Sequence, residues 1–395
     1  MTEKLKGNNF PNWKPKLRFQ GFEGEEWEVK KLGELCKMQA GKFVSASEII
    51  NEVDENLFPC YGANGLRGYT KSFNCDGEYS IVGRQGALCG NIVKVTGKFY
   101  ATEHAVVVTT VDKINSTWMF YLLIHLNLNQ YATGMAQPGL SVQNLKLVES
   151  RIPKSVKEQD TIASLLSLLD LRISTQKKII QDLETLIKGY SEKIFSQKMR
   201  FKDKNGSSFS NWEINTLKNV LIKNSSKNKS LKYLNVQSVS NKFGFINQED
   251  FFEDRRVASI NTSNYYIIGK GDFAYNPSRI DVGSLAYKFD ANTSIISPLY
   301  ISFKANNNFL VDRYLLSWFS SLQFIRQMSN SFEGSVRNTL SYESLSKMSI
   351  FIPSIEEQTH IAQFLSYLTE KINLEKDLLV NYEIQKKYLL ANLFV

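Results

Sequence analysis

The chain has 395 residues, of which 43% are hydrophobic, with 25 Phe and 18 Tyr, a net charge of +9 and a pI near 9.1. This composition excludes a disordered chain, gives room for two domains plus accessory helices, and favours a polyanionic partner, of which nucleic acid is the commonest. The longest purely apolar run, Trp118 to Ile124, is too short to span a membrane, and the polar, basic start from Met1 to Lys16 has no apolar core and reads as no signal peptide.

Residues 1–26 read as a polar arm, mobile at its start, with Leu17-Arg18-Phe19 near its end. Trp27-Glu28-Val29 opens a globular domain, with Leu32 and Leu35 at helical spacing. Tyr61-Gly62-Ala63-Asn64-Gly65 is a turn signal, followed by Gly68-Tyr69; Tyr79 to Gly83 reads as a strand, and Gly86 and Gly90 bracket a tight connection. Asn91 to Val95 and His104 to Thr109 read as Val-rich strands, and Trp118 to Leu128 as an apolar helix. A loop from Gly134 to Ser141, which contains Gln137, then leads to Ile152-Pro153. Cys36, Cys60, Cys75 and Cys89 lack the paired spacing of a zinc cluster, so free thiols in a reducing cytosol are expected.

From Ile152 the pattern changes. Glu158-Gln159 is followed by a ladder in alternating steps of four and three: Ile162, Leu166, Leu169, Ile173, Gln176, Ile180, Leu183, Ile187, Tyr190, Ile194. A second ladder lies 199 residues further on: Ile361, Leu365, Leu368, Ile372, Glu375, Leu379, Tyr382, Lys386, Leu389, Leu393, opened by Ile352-Pro353 and Glu357-Gln358. An apolar period of 3.5 sustained this long is a coiled-coil seam. Each copy predicts a helix of about 40 residues, roughly 60 Å long. The segment between them, compact at a radius of gyration of about 14 Å, cannot bridge that length. The end of the first helix should therefore lie near the start of the second, giving an antiparallel pair with a domain at each end. Gln176 and Glu375 occupy the same rung of the two ladders, where polar residues serve to fix register.

The repeat extends to the domain starts. Met199-Arg200-Phe201 echoes Leu17-Arg18-Phe19, and Trp212-Glu213-Ile214 echoes Trp27-Glu28-Val29. The second domain follows the plan of the first: strands at Tyr233 to Val239, Gly271 to Tyr275 and Pro298 to Phe303, a turn at Asn276-Pro277-Ser278-Arg279, and a helix from Tyr314 to Ile325. Gly334, Leu340, Ser341 and Leu345 match Gly134, Leu140, Ser141 and Leu145. The expected fold is α+β: two similar mixed α/β domains (27–151 and 212–351), a linker at 201–211, and two long helices (152–200 and 352–395) forming an antiparallel coiled coil with an internal pseudo-two-fold repeat. Elsewhere the two domains diverge, as expected of one frame used twice to read two different things.

No catalytic constellation emerges. The chain has no phosphate-binding P-loop, no dinucleotide glycine fingerprint and no nucleophile elbow. His104, His125 and His360 have no partners at metal-ligand spacing; His104, in an apolar strand, reads as a core residue, and His360 as lying on the polar side of the second helix. What remains is basic side chains among aromatic and polar ones. The densest run, Lys198 to Lys232, holds nine Lys or Arg against Asp203 and Glu213, with Lys223, Lys227 and Lys229 in its acid-free part; such residues suit phosphate contacts. For base reading, Arg and amide side chains beside glycines are the candidates: Arg67, Arg84, Gln85, Gln137, Arg279 and Arg337.

These residues resemble one family. Leu17-Arg18-Phe19 through Trp27 to Leu35, Tyr61 to Gly65 with Gly68-Tyr69, and the two Ile-Pro openings followed by Glu-Gln, Ile-Ala and a long helix are together similar to the DNA-specificity subunit of bacterial type I restriction–modification systems, over essentially the whole chain. Lys386 on a rung and a link from Pro353 to Gln358 one residue shorter than its counterpart depart from strict repetition. The resemblance implies two target-recognition domains that each read half of a bipartite double-stranded DNA site, and helices that set the spacer. It implies docking of two adenine-methylating methyltransferase subunits and of restriction–translocase subunits. The chain itself would bind no cofactor and hold no catalytic residue; S-adenosylmethionine, ATP and Mg would act on the partners, in the cytoplasm. Two other readings stay open at this level: a self-sufficient methyltransferase or nuclease with degenerate motifs, marked by S-adenosylmethionine binding, and a coiled-coil scaffold without DNA, marked by the lack of salt-dependent DNA retention.

Overall fold

The computed structural model describes residues 14–86, 88–134, 138–248, 261–333 and 338–395, and they form two compact units. The start of the N-terminal arm therefore lies outside the described residues, as do Gln137, Gly334 and Arg337. Unit 1 comprises 1–178 with 377–395, and unit 2 comprises 179–376.

Unit 1 begins with strand β1 (Trp27–Lys31), the one-turn helix α1 (Leu32–Leu35) and β2 (Cys36–Ala40). Strands β3 (Phe58–Gly62), β4 (Gly65–Thr70), β5 (Cys75–Gly83), β6 (Ile92–Ala101) and β7 (Ala105–Thr110) follow. Helices α2 (Ser116–His125) and α3 (Val142–Lys146), strand β8 (Glu149–Pro153) and helix α4 (Val156–Phe195) complete the order. One sheet runs β2-β7-β5-β6-β3-β4, while β1 and β8 form a separate ribbon that brings Trp27 opposite Pro153. The core lies where α2 meets the sheet and the helices: Trp118, Leu122, Leu145, Ile162, Leu166 and Leu393 are all buried in one cluster.

Unit 2 repeats this order with two changes, a divided central hairpin and one further helix. Strands β9 (Glu213–Thr216), β10 (Leu221–Lys223), β11 (Val236–Ser240), β12 (Gly244–Asn247), β13 (Tyr266–Ile268), β14 (Asp272–Tyr275), β15 (Leu285–Tyr287), β16 (Ser294–Ile296), β17 (Ile301–Ala305) and β18 (Ser349–Ile352) build three sheets. Their orders are β10-β17-β14-β15, β12-β11-β16-β13 and β9-β18. By strand order and pairing, β13 and β14 correspond to the single strand β5, and β15 and β16 to β6. The long central hairpin of unit 1 is thus cut in two in unit 2, at the break Gly269-Lys270-Gly271, where Gly271 has φ +92°. Helices α5 (Leu217–Val220), α6 (Asp312–Phe319), α7 (Leu322–Asn330), α8 (Tyr342–Ser346) and α9 (Ile355–Leu393) complete the unit, α9 continuing into unit 1. The helix expected over Tyr314 to Ile325 is in fact two, because Ser321 Oγ accepts the Phe324 amide and starts a new helix. The strand expected from Pro298 begins at Ile301, after a turn, and that expected from Tyr233 begins at Val236.

The long helices bear out the ladder. Ile162, Leu166, Leu169, Ile173, Gln176, Ile180, Ile361, Leu365 and Ile372 are buried, and Leu183, Leu368, Glu375 and Leu379 half-buried. In unit 1, Asp170 pairs with Lys386 at 2.5 Å and Lys177 with Glu383 at 2.9 Å. In unit 2, Glu184 pairs with Lys376 at 2.7 Å, and Tyr190 meets Phe364 edge-on. Numbers rise on one helix as they fall on the other, so the packing is antiparallel in each unit. Lys386 is accommodated on its rung by Asp170 and by the Tyr121 ring 5.8 Å away.

The repeated short motifs assemble into one device per unit. The Arg18 guanidinium donates to both oxygens of Glu158 (2.8 and 2.9 Å), and Trp27 Nε1 donates to the same carboxylate. Arg200, Glu357 and Trp212 do the same in unit 2, at 3.1, 2.7 and 2.9 Å. The neighbouring glutamine ties strand to helix: Gln159 donates to the Pro153 carbonyl and accepts from the Asn115 amide, and Gln358 donates to Pro353 and accepts from Val311. Both carboxylates are essentially inaccessible to solvent, and a fork-to-fork ion pair is the geometry that compensates their desolvation.

Candidate nucleic-acid interface

In unit 1 three loops meet at the C-terminal end of β5. The first is the turn between β3 and β4. The second follows Gly83, where an added Cβ would lie 2.1 Å from the Ala63 carbonyl oxygen; only glycine allows the two backbones this close. The third is the hairpin closed by Thr133 and Gly139. Arg84 ties the second loop to the third and to the turn before β7. Its amide donates to the His104 carbonyl, its carbonyl accepts from the Leu140 amide, both at 2.8 Å, and Gln85 bridges to Gly139.

Arg67 is exposed and lines a recess of about 400 Å³ with Asn64, Leu66 and His104. Arg84 is half-buried, and its Nε donates to the Leu140 carbonyl at 3.4 Å, so part of its guanidinium is used within the protein. His104 is not the core residue expected from its apolar neighbours. It lies in the turn before β7, partly exposed, with Nε2 3.2 Å from the Glu103 carboxylate. The structure thus brings Arg67, Arg84 and Gln85 to one edge of the unit, together with a histidine that the sequence had assigned to the interior.

Unit 2 has the same three-loop arrangement with different side chains. The loop after β14 is held by the Leu340 amide donating to the Pro277 carbonyl at 3.0 Å, and by Tyr275 Oη donating to the Leu340 carbonyl. Asn276 Oδ1 accepts from the Ser278 amide, which turns the chain so that Arg279 is exposed. A hairpin closed by Glu333 and Thr339 stands beside it; Asn338 donates to Asp281 at 3.3 Å. The third loop is the turn between β11 and β12. There Asn241 donates to the Val282 carbonyl at 3.4 Å and Lys242 is exposed. Lys242 was missed by sequence reasoning, although an Asn-to-Gly turn between two alternating segments is a hairpin signal.

The basic run 198–232 is not gathered at that edge. The Lys227 ammonium is 3.6 Å from the Tyr266 ring centroid and donates to the Asn264 carbonyl, which ties it to β13. Lys223 lies 5.0 Å from the Tyr342 ring, and Lys229 is simply exposed. Lys223 also lines a recess of about 430 Å³ with Lys304 and Asp272. Burial raises the Asp272 carboxyl pKa, against the Gly269 amide and the Lys304 charge that lower it. Among the described residues no group of three or more His, Cys, Asp or Glu could hold a metal ion, and no helix is long and apolar enough to cross a membrane. All four cysteines are free.

Residues 24–185 and 209–382 match the family of the type I restriction modification DNA specificity domain. The specificity subunit of the EcoprrI type I restriction enzyme of Escherichia coli is 48% identical over 152 residues, 38% of this chain and 38% of that protein. A putative type I restriction enzyme specificity subunit of Haemophilus influenzae is 28% identical over 137 residues, 33% of this chain and 34% of that one. These alignments span well under half the length of the curated relatives. Among solved structures, the S subunit of a type I restriction–modification system from M. genitalium gives a TM-score of 0.66 at 17% identity, over 97% of this chain and 99% of that one. At that identity what is shared is the fold.

Proposed function

The chain belongs to the type I restriction modification DNA specificity domain family, whose domain it carries twice, and from that premise we propose that it is the non-catalytic DNA-reading subunit of a restriction–modification complex. Residues 27–151 and 212–351 are the two recognition domains, each reading one half of a bipartite site on double-stranded DNA. The helices 152–200 and 352–395 set the gap between the half-sites and dock two methyltransferase subunits. Restriction–translocase subunits join that core. S-adenosylmethionine, ATP and Mg act on the partners, in the cytoplasm.

The observation that carries this reading is the three-loop edge found on the same frame in both units with unlike side chains: Arg67, Arg84 and Gln85 in one, Lys242 and Arg279 in the other. Arg suits guanine O6 and N7, Gln suits adenine N6 and N7, and Lys suits phosphate. Gln137 and Arg337, outside the described residues, are assigned to the same base-reading role, while Lys223, Lys227 and Lys229 serve the DNA backbone. Support for docking along the helices comes from apolar side chains exposed on them: Leu168 and Leu171 in unit 1, Tyr367 and Leu374 in unit 2.

The test is the pattern of methylated adenines in DNA from cells expressing the chain with its methyltransferase, against the methyltransferase alone. A two-part motif with a fixed gap, present only with the chain, is the expected result. No new motif from an assembled complex overturns the reading.

A further inference from the structure

The hairpins and loops that carry the basic residues also carry exposed apolar ones in both units. At the start of β4, just past the turn that follows β3, Leu66 is 52% exposed, and Leu88 in the loop after β5 is 51% exposed. In unit 2, Phe243 on the turn between β11 and β12 is 66% exposed, and Val282 in the loop after β14 is 56% exposed. A single exposed leucine is ordinary on a protein surface. The recurrence of an exposed apolar residue at the corresponding hairpin and at the corresponding loop, beside Arg67 in one unit and beside Lys242 and Arg279 in the other, is not.

These residues stand on pinned backbone. The Cys89 amide donates to the Gly86 carbonyl and the Asn91 amide to the Leu88 carbonyl, both at 3.0 Å, and Asn129 Nδ2 donates to the Cys89 carbonyl at 2.6 Å. Ser240 Oγ accepts from the Lys242 and Phe243 amides, and the Val282 carbonyl accepts from Asn241. The adjacent cations would draw DNA phosphates to this edge, with the apolar tips directed at the base edges. In the major groove the one apolar feature of a base edge is the 5-methyl of thymine.

We infer that these apolar pairs read a thymine methyl group in each half-site, Leu66 with Leu88 in one and Phe243 with Val282 in the other. The inference rests on the DNA-reading function proposed above and assigns specificity residues within it. A half-site that is methylated on adenine supplies a thymine on the opposite strand, so the feature is present in any such half-site.

The probe is a synthetic duplex carrying the two-part motif, with its thymines replaced one at a time by deoxyuridine, which lacks only the methyl. Binding of the full complex of chain and methyltransferase is measured by fluorescence anisotropy. One replacement in each half-site should weaken binding about three- to tenfold, the scale of one buried methyl group. Leu66→Ser with Leu88→Ser should abolish that difference in one half-site only, and Phe243→Ser with Val282→Ser in the other only, each variant binding the deoxyuridine duplex as the unmodified chain does. Indifference to every replacement, or discrimination that survives both double variants, overturns the inference and leaves the DNA-reading function standing. Absence of any two-part motif removes that function and this inference together.

Discussion

At the scale of single residues, the most consequential interactions are those that hold the frame. Arg18 and Glu158 form a buried, two-pronged ion pair. Removal of one partner leaves the other charged and desolvated, a loss of about 3–5 kcal/mol. Arg18→Ala should therefore destabilise unit 1 by that amount in denaturant melts, and Arg18→Ala with Glu158→Leu should recover part of it; equal losses in the single and double variants would contradict the ion-pair account. His125 gives the pH counterpart. Its ring stacks on Phe394 and faces the Leu390 carbonyl, and burial lowers its pKa below the ordinary 6.5, although the carbonyl works against the shift. A lowered folded pKa means that the unfolded chain takes up the proton first as pH falls. Stability from this group is complete above about pH 6.5 and is lost on acidification below it. His125→Phe should flatten the fall in melting temperature between about pH 7 and pH 5, measured by thermal denaturation. His104 shows why residue roles are hard to read from the chain: its Val-rich followers suggested an interior strand, but β7 begins one residue later, and a turn residue shares none of the burial of the strand it precedes.

At the scale of elements, the long helices were legible because their period is the physical requirement for pairing, and the polar rungs Gln176, Glu375 and Lys386 leave its spacing intact. The rungs Leu365 and Ile361 are buried in the core of unit 2. Leu365→Ala should cost about 2–5 kcal/mol, read as a shift in denaturant midpoint with an unchanged slope; a loss under about 0.5 kcal/mol would mean that the rung is not packed. Less was legible where spacing carries across a break. The apolar series Tyr314, Leu315, Trp318, Phe319, Phe324 and Ile325 reads as one helix, but Ser321 caps a second. The division of the central hairpin in unit 2 was equally hidden, since Gly269 and Gly271 signal a bend without saying that a sheet divides there. The three-loop edge was half legible. Glycines and arginines marked the loops that follow β5 and β14, while the approach of the β11–β12 turn is a tertiary fact with no local signature.

At the scale of the whole molecule, the duplicated motifs turn out to be duplicated contacts, and one of them bears on connectivity. The Leu17 amide donates to the Asn392 carbonyl at 2.9 Å, and the Met199 amide donates to the Lys193 carbonyl at 3.0 Å. Asn392 lies 199 residues after Lys193, so these are the same bond in the two copies. In unit 2 it is closed by the short covalent link through Ser196, Gln197 and Lys198; in unit 1 it joins segments from opposite ends of the numbering. The native contacts are therefore those of a closed ring, and the place at which the backbone is interrupted is interchangeable between two sites. A chain spliced from the end of α9 to Leu17 by a short linker, and opened instead at Gln197, should fold to the same contacts, with a far-ultraviolet dichroism spectrum and melting midpoint close to those of the original. In that sense the order of the halves along the polypeptide is a convention of synthesis, and the architecture has no first half.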